Sequence, residues 1–482
     1  MAKRVTRIRA WLLLCSLFAL RFPLPAQNPA TDVIFRHVTI IDGKGGKPKP
    51  NMSVELLGDR IHQISKKIDP PPGALVINAK GKFLIPGLWD MHVHLGFPEQ
   101  FFPLLVANGI TGVREMYTGL PFRAMLEWRS RSDVPRLVIP GFLDGPLMIQ
   151  PGVNLPEAAI PVANDRQARA AVQFLARGGV DFLKVYNSIP REAYFAIADE
   201  AKKIGITFAG HVPEAVSPLE ASEAGQHSEE HLINILLACS SNETALREER
   251  IRIMNGGTGI SNEERFRQLA FPLADGLFDT YNAAKCQHLF ETFVKNNTWQ
   301  TPTLTLLNGF AHPDELVRDP RAAYMPAEWR RTAHPRDKYY MQDLKPAEFD
   351  ALVLRIRALL ERHKQLVRDM HAAGVPLLAG TDMSALNPVL AGFGLHEELA
   401  LFVECGLSPM EALQTATLNP ARYFGLENEF GTIEEGKAAD LVLLDADPLK
   451  DIRNTQKIRT VILRGRVFAR PELDGMLQRL KQ

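Results

Sequence analysis

Ile85-Pro86-Gly87-Leu88-Trp89-Asp90-Met91-His92-Val93-His94-Leu95 is the stretch that decides how the rest of this chain is read. It has the texture of a buried strand that ends in polar residues, and side chains two apart on a strand share a face. His92 and His94 therefore point the same way and can share one metal ion. Two histidines alone specify no more than a mononuclear site, so the reading turns on what joins them.

With 482 residues, 46% hydrophobic and 23% charged, the chain can bury a large core and suits one big domain beside a smaller one, and it does not have the composition of a disordered chain. Its start is set apart. Lys3, Arg4, Arg7 and Arg9 precede the apolar run Trp11 to Leu20, and Pro23, Leu24, Pro25, Ala26 and Gln27 follow, the pattern of a secretory signal over residues 1–26 cleaved near Ala26. The rival is an uncleaved anchor, but the run is short for a ~30 Å hydrocarbon core. Cys15 lies inside that run behind the bulky Leu14, which argues against a lipid attachment site. The expected mature protein is exported, periplasmic or secreted, with no stable membrane anchor. Cleavage removes five of 56 basic residues and no acidic one, leaving 51 against 55, a net charge of −4. No Lys/Arg-rich run interleaved with aromatics occurs, so nucleic acid is not an expected partner. Cys239, Cys286 and Cys405 remain, an odd set at irregular spacing without a Cys-x-x-Cys; buried thiols are expected, with one bridge left open.

Outside the opening stretch the texture changes twice. Residues 27–84 carry short β signals (Val33 to Gly43, Ser53 to Leu56, Ala74 to Ile77) punctuated by Gly and Pro, and β texture returns over 426–482 at Gly431 to Ile433, Asp440 to Leu444 and Arg459 to Leu463. The two ends are expected to pair into one small β-sandwich domain. Between them, residues 85–425 alternate short apolar strands with helical patterns. Candidate strands lie at Met91 to Leu95, Gly112 to Met116, Leu137 to Pro140, Phe182 to Tyr186, Thr207 to His211, Ser228 to His231, Thr303 to Leu307 and Pro376 to Gly380. That count predicts an α/β chain built on a (β/α)8 TIM-like barrel, in which chemistry gathers at the C-terminal ends of the strands. A long helical insertion is expected over about 242–340, enlarging the loops around the seventh strand, where such insertions can form a lid and select substrates.

The unusual polar residues fall at those strand ends. In Asp181-Phe182-Leu183-Lys184-Val185-Tyr186, Leu183 and Val185 face outward and Phe182, Lys184 and Tyr186 inward. An ammonium inside a barrel is costly unless paired or chemically changed. Carboxylation by carbon dioxide makes it an anion with two oxygens, while a snorkelling or ion-paired lysine is the alternative. His211 follows the strand Phe208-Ala209-Gly210, His231 closes Ser228-Glu229-Glu230, and Asp382 ends Leu378-Ala379-Gly380-Thr381. Candidates at successive strand ends are not what independent core histidines produce.

These residues resemble the metal-dependent amidohydrolase superfamily, most closely its imidazolonepropionase-like and prolidase-like branch. The likeness covers nearly the whole mature chain, through the Pro-Gly-x-x-Asp-x-His-x-His start, Lys184, His211, His231, the Gly-Thr-Asp end and Gly436-Lys437-Ala438-Ala439-Asp440-Leu441-Val442. By that resemblance His92, His94 and Asp382 bind one divalent ion, His211 and His231 a second, and carboxylated Lys184 bridges them. Zinc is the usual occupant of such nitrogen and oxygen sites, with manganese, iron and cobalt as alternatives.

Two such ions lower the pKa of a bridging water enough to supply hydroxide near neutral pH, and one polarises the substrate carbonyl. Asp382 is placed to take the proton and pass it to the leaving nitrogen. Tyr186 is read either as a hydrogen-bond donor to substrate or as a core residue. His227 is read as a loop residue, and His396 as lying near the pocket through the loop after Asp382. Two features depart from the peptidase-like relatives and put dipeptide specificity in doubt: Asn187-Ser188-Ile189-Pro190-Arg191 replaces a glycine-rich loop, and Glu115 stands where an Asp often follows the second-strand Arg. The expectation is a hydrolase of small-molecule amides, with a dipeptide-like, N-acyl amino acid or cyclic amide substrate. Lactone or carbamate hydrolysis on the same metals is one alternative, and a metal-containing binding protein without turnover is the other. Homo-oligomerisation is left open.

Overall fold

The computed structural model describes residues 32–145, 159–255, 267–269, 274–337, 341–342 and 344–481; the expected signal segment 1–26 lies outside them. In chain order the strands are β1 Val33–Ile40, β2 Lys49–Leu57, β3 Arg60–Ser65, β4 Leu75–Asn78, β5 Phe83–Pro86, β6 Leu88–Val93, β7 Ile110–Glu115, β8 Arg136–Val138, β9 Pro140–Asp144, β10 Ala159–Pro161, β11 Phe182–Val185, β12 Phe208–Gly210, β13 Ser228–Glu230, β14 Trp299–Thr301, β15 Leu441–Leu444, β16 Ile458–Leu463 and β17 Arg466–Ala469. Among the described residues, no helix is long and apolar enough to cross a membrane.

The strands from the two chain ends are hydrogen-bonded into one eight-stranded sheet, in the order β17-β16-β15-β5-β1-β2-β3 with β4 on β1. The join is the antiparallel pair β5–β15, where Leu84 faces Leu443 and Ile85 faces Val442. Alternation sorts these neighbours to opposite faces. Leu84, Leu441, Leu443 and Ile462 pack with Val33, Phe35, Val54 and Ile61 on one side. Ile85, Val442, Leu444 and Val461 join the core of the α/β body on the other. Because residues of β2, β3, β15 and β16 meet in one cluster, the sheet curls over its own inner face. The strand expected at Gly431 to Ile433 is irregular; there Ile433 N donates to Asp42 O at 3.1 Å.

In the body, β6-β7-β8 and β10-β9-β11-β12-β13-β14 form two parallel sheets. The expected third strand is one extended segment interrupted at Ile139, so that β8 pairs with β7 and β9 with β11. On the far side, segment 376–383 reaches both sheets through isolated parallel bridges, Leu377 to Gln300 and Met383 to Val93, rather than through a ladder. Around those bridges Met91 N donates to Ala379 O and Asp382 N to His92 O, at 2.9 and 2.8 Å. The helices Asp165–Gly178 and Arg191–Ile204 cover the outward residues Leu143, Leu183 and Val185, while Phe182 packs inward with Met116 and Ala209.

Two local departures from regularity position the site. Between Asp90 and Val93, β6 advances three residues while β7 advances two, from Val113 to Glu115. Such a bulge reverses the alternation and re-aims side chains, so that Trp89 packs over Gly112 and Phe430 below while His92 and His94 face inward above. The second concerns the seventh strand, expected at Thr303 to Leu307: the strand is β14, and Leu304–Ala311 is a helix. Thr303 takes a left-handed φ of 50° that ends the extended run. The Glu398 carboxylate then accepts from Leu304 N and Thr305 N at 3.0 and 2.7 Å, supplying acceptors that a helix start lacks.

The expected insertion is helical where described, with Glu243–Asn255, Ala274–Asp279 and Ala283–Asn296 preceding β14. Cys239 and Cys286, expected first as buried thiols, are disulfide-bonded across 47 residues, leaving Cys405 free and buried. The antiparallel bridge between Ser240 and Tyr281 brings the two segments together. Replacing both bridged cysteines by serine is expected to lower unfolding stability by about 2–4 kcal/mol, read as a drop in denaturant midpoint that adding reductant to the wild type reproduces.

Burial raises the Glu398 carboxyl pKa to about 8, against the lowering effect of the Thr305 and Leu304 amides. The folded state therefore keeps a proton that the unfolded chain releases from pH 4.5 upward, so this group's contribution to stability falls as pH rises from about 4.5 to about 8. In urea unfolding between pH 5 and 8, Glu398→Gln should flatten that fall, while losing about 1–2 kcal/mol throughout because one amide keeps no acceptor. An unchanged slope would contradict it.

Candidate metal centre

Four histidines meet above the inward cluster of Trp89, Trp299 and Phe430, each held through Nδ1. His92 Nδ1 lies 2.8 Å from Glu230 Oε2, and His94 Nδ1 lies 2.6 Å from the Tyr117 carbonyl. His211 Nδ1 lies 2.7 Å from Asn187 Oδ1, and His231 Nδ1 lies 2.8 Å from Thr303 Oγ1. For His92 and His211 the carboxylate or amide oxygen accepts, so Nδ1 carries the hydrogen and Nε2 keeps its lone pair, the arrangement that orients a metal-binding imidazole. The rings are neighbours: His92 to His231 4.4 Å, His92 to His94 5.3 Å and His211 to His231 4.9 Å between centroids.

Asp382 completes the first-strand pair. Its Oδ1 is 2.7 Å from His94 Nε2 and 3.4 Å from His92 Nε2. Asn387 Nδ2 donates to its Oδ2 at 2.9 Å and to its carbonyl at 2.7 Å, holding the residue at a left-handed φ of 56°. His92, His94 and Asp382 offer ligand atoms all within 4.8 Å of one another. The strands place the others as read: His211 N bonds Val185 O at the end of β11, and His231 N bonds Thr301 O at the end of β14. Lys184 is buried, 1% exposed, on the inward face of β11.

Beneath the imidazoles runs a charged support. Arg114 is 0% exposed; its Nη2 donates to both Glu230 oxygens at 2.8 and 2.9 Å, and its Nη1 donates to Ser228 Oγ and Tyr423 Oη. Its Nε donates to the Met91 carbonyl at 2.6 Å, tying β7 to β6 beside His92. Asp90 accepts from Thr381 N and Oγ1 and fixes the turn before Asp382. Glu115 accepts from Leu95 N and Tyr117 N, bracing the chain after His94.

Burial sets most of the protonation states. It holds His92 and His211 well below the usual imidazole range, and His231 at about 4, so all three are neutral at pH 7. Burial also lowers His94, but the hydrogen bond and charge of Asp382 outweigh it and raise its pKa. For Asp382 the desolvation that would raise it is overcome by His231 and His94, and its pKa falls. Lys184 is lowered to about 8 by burial, against the raising influence of Glu230 and Asp382.

Two buried nitrogens in this cluster have no hydrogen-bond partner, His92 Nε2 and Lys184 Nζ. Buried polar atoms are ordinarily satisfied. An electron-pair acceptor between His92, His94 and Asp382 would satisfy the first. The residues present fit a divalent metal.

Other candidates go elsewhere. His227 lies at the opposite end of β13, with Nε2 3.1 Å from the Tyr423 carbonyl and its ring against Tyr423. His396 is not at the pocket; it is buried between Asn108 O and Thr455 Oγ1 and ties the helix Phe393–Glu404 to the turn Ile452–Gln456. Tyr186 does face the site, its ring 4.2 Å from that of His211. Sequence reasoning missed Glu230, Asn187, Thr303 and Asn387 as anchors. The available signal was position: each is within one to five residues of a candidate ligand or one strand away from it.

Residues 280–468 match the family described as Amidohydrolase family. An imidazolonepropionase of Thermoplasma volcanium is 39% identical over 90 residues, 18% of this chain and 22% of that protein. An adenine deaminase of Roseobacter denitrificans is 49% identical over 67 residues, 14% and 10% of the two chains. The matches thus span about a tenth to a quarter of such curated relatives. Over nearly the whole chain the fold is shared with solved structures. A bottromycin amidohydrolase is 23% identical with TM-score 0.68, covering 93% of this chain and 90% of that one. A Xaa-Pro dipeptidase with bound methionine is 19% identical with TM-score 0.62, covering 91% and 100%. Residues 280–468 are thus similar to the Amidohydrolase family, and nearly the whole chain shares the fold of these solved structures, with the strand-end histidines, Lys184 and Asp382 in place.

Proposed function

We propose that this chain is an exported, binuclear metal-dependent amidohydrolase that cuts a carbon–nitrogen amide bond in a small molecule. The observation that carries the reading is the set of Nδ1-anchored histidines, with the bare Nε2 of His92 and the bare Nζ of Lys184 beside Asp382. The circuit β6-β7-β8/β9-β11-β12-β13-β14 and segment 376–383 is read as a (β/α)8 barrel, with 376–383 in the eighth place.

In this reading His92, His94 and Asp382 would hold one divalent ion and His211 and His231 a second, with carboxylated Lys184 adding an anionic ligand and zinc the expected metal. Bound there, the ions supply Lewis acidity for the scissile carbonyl and acidify water. The chain's own residues do the rest. Asp382, fixed by Asn387, takes a proton on Oδ1 and returns it to the leaving nitrogen, base and then acid. Burial keeps the Tyr186 hydroxyl protonated, so it serves as a hydrogen-bond donor to the substrate. At Lys184 the lowered pKa leaves a larger neutral fraction, whose lone pair forms an N–C bond to carbon dioxide as one proton is released to solvent. Export is supported by the Cys239–Cys286 disulfide, since such bonds persist in oxidising compartments.

In zinc-loaded protein screened with dipeptides, N-acyl amino acids, cyclic amides, lactones and carbamates, at least one amide should turn over. Asp382→Asn should then lose about 10²–10⁴-fold in kcat or more, while His211 and His231 retain part of the metal by elemental analysis. No turnover on any member would defeat the hydrolase reading and favour a binding protein; turnover of lactones or carbamates alone would move the bond. Lys184→Met should lower metal content, and intact wild-type mass should carry one added CO2 that the variant lacks. An unmodified, fully metal-loaded wild type would refute the carbamate.

A further inference from the structure

Beside the metal centre the barrel mouth contains a second buried anion that the chemistry above does not use. Asp144 ends β9, 1% exposed. Leu143 packs outward among the helices, so Phe142 and Asp144 face inward. Across the strands Phe142 pairs with Lys184, which places Asp144 beside the position of Tyr186. One carboxylate oxygen is fully engaged: Oδ1 accepts from Gly145 N at 2.7 Å, Ser188 N at 3.1 Å and Ser188 Oγ at 2.7 Å. The other, Oδ2, is buried with no partner, and so is the Tyr117 hydroxyl. Lys184 makes no hydrogen bond to it; burial raises the Asp144 pKa, with the Lys184 charge among the smaller lowering influences.

A run of aromatic rings lies on the same inward side as this anion. The rings of Tyr117 and Phe142 are 4.2 Å apart, those of Phe142 and Tyr186 5.5 Å, and Tyr186 continues onto His211 at 4.2 Å. The Asp144 charge is close enough to raise the pKa of both tyrosine hydroxyls, in addition to the larger effect of their burial. Three donors clamp Oδ1 and hold the carboxylate in one orientation, so Oδ2 is presented rather than left to rotate. A bare buried carboxylate oxygen is expensive unless something binds it. A fixed anion with aromatic rings nearby is the complement of an organic ammonium, which gains a charge-assisted hydrogen bond and cation–π attraction together.

We propose that Asp144 Oδ2 seats a cationic ammonium of the substrate, walled by Tyr117, Phe142 and Tyr186, so that the preferred substrates are amides bearing a free ammonium group. This rests on the hydrolase reading for the word substrate, and the site itself is tested by binding. Metal-loaded protein is titrated calorimetrically with benzylammonium and with benzyl alcohol, a neutral probe of similar shape. Wild type should bind benzylammonium about tenfold tighter or more, and Asp144→Asn, which keeps an acceptor for Gly145 and Ser188, should erase the difference with metal content unchanged. Equal affinity of the two probes for wild type overturns the proposal whether or not the variant folds, and so does a preference that survives in a folded Asp144→Asn. Binding of benzylammonium without turnover of any amide would defeat the hydrolase reading alone. Equal turnover of ammonium-bearing and neutral amides would defeat the role of Asp144 alone.

Discussion

A guanidinium with no solvent contact lies under the four imidazoles, and the orientation of the site follows from satisfying it. Arg114 is 0% exposed. A charge in that position costs several kcal/mol unless a partner and further hydrogen bonds compensate. Glu230 is the partner, engaging Nη2 through both oxygens. The remaining N–H groups reach the Met91 carbonyl, Ser228 and Tyr423, so the side chain spans β6, β13 and the helix Leu418–Phe424. Glu230 then uses Oε2 again, on His92 Nδ1. The tautomer of His92 is thus set by the neutralisation of a buried charge on another strand, and the free lone pair of Nε2 is a consequence. Without Arg114, Glu230 would stand as an unpaired buried carboxylate between His92 and Lys184, free to compete for both.

This explains what could be read from the sequence. His92, His94, Lys184, His211, His231 and Asp382 were legible because a polar residue at the end of an apolar strand is conspicuous and parity tells which way it points. Arg114 and Glu230 were not legible as a pair, because Ser228-Glu229-Glu230 offers alternation no contrast between faces. The structure resolves it: Ser228 and Glu230 turn inward to Arg114, while Glu229 turns outward and meets Gln300 at 3.3 Å. The bulge in β6 was likewise invisible, since it is defined by what β7 does opposite Asp90 to Val93.

Where the reading failed, the deciding contact was far away in sequence. Thr303 to Leu307 has the branched and apolar residues of a strand, and local propensity gives no reason to stop it there. It is helical from Leu304 because Glu398, 94 residues on, receives its first amides. The same helix start leaves Thr303 turned back so that its hydroxyl holds His231 Nδ1. One long-range cap therefore both ends β14 early and anchors a candidate ligand. Cys239 and Cys286 present the same problem, since only the packing of two segments 47 residues apart makes them partners.

The turn after β11 ties the candidate metal centre to the carboxylate proposed to seat a substrate ammonium. Three consecutive residues each hold a different part: the Tyr186 ring lies on His211, Asn187 Oδ1 fixes His211 Nδ1, and Ser188 clamps Asp144 Oδ1. Gly145 allows the two loops to meet, since a Cβ there would lie 1.9 Å from the Ser188 carbonyl. Tyr117 has the same double duty, its carbonyl on His94 and its ring against Phe142. A glycine-rich turn at 187–188 could not do this: it would lack both the amide that orients His211 and the hydroxyl that orients Asp144. The departure from the peptidase-like pattern is therefore a change in what the loop holds. Any change that moves this turn therefore also moves His211, a histidine of the candidate centre.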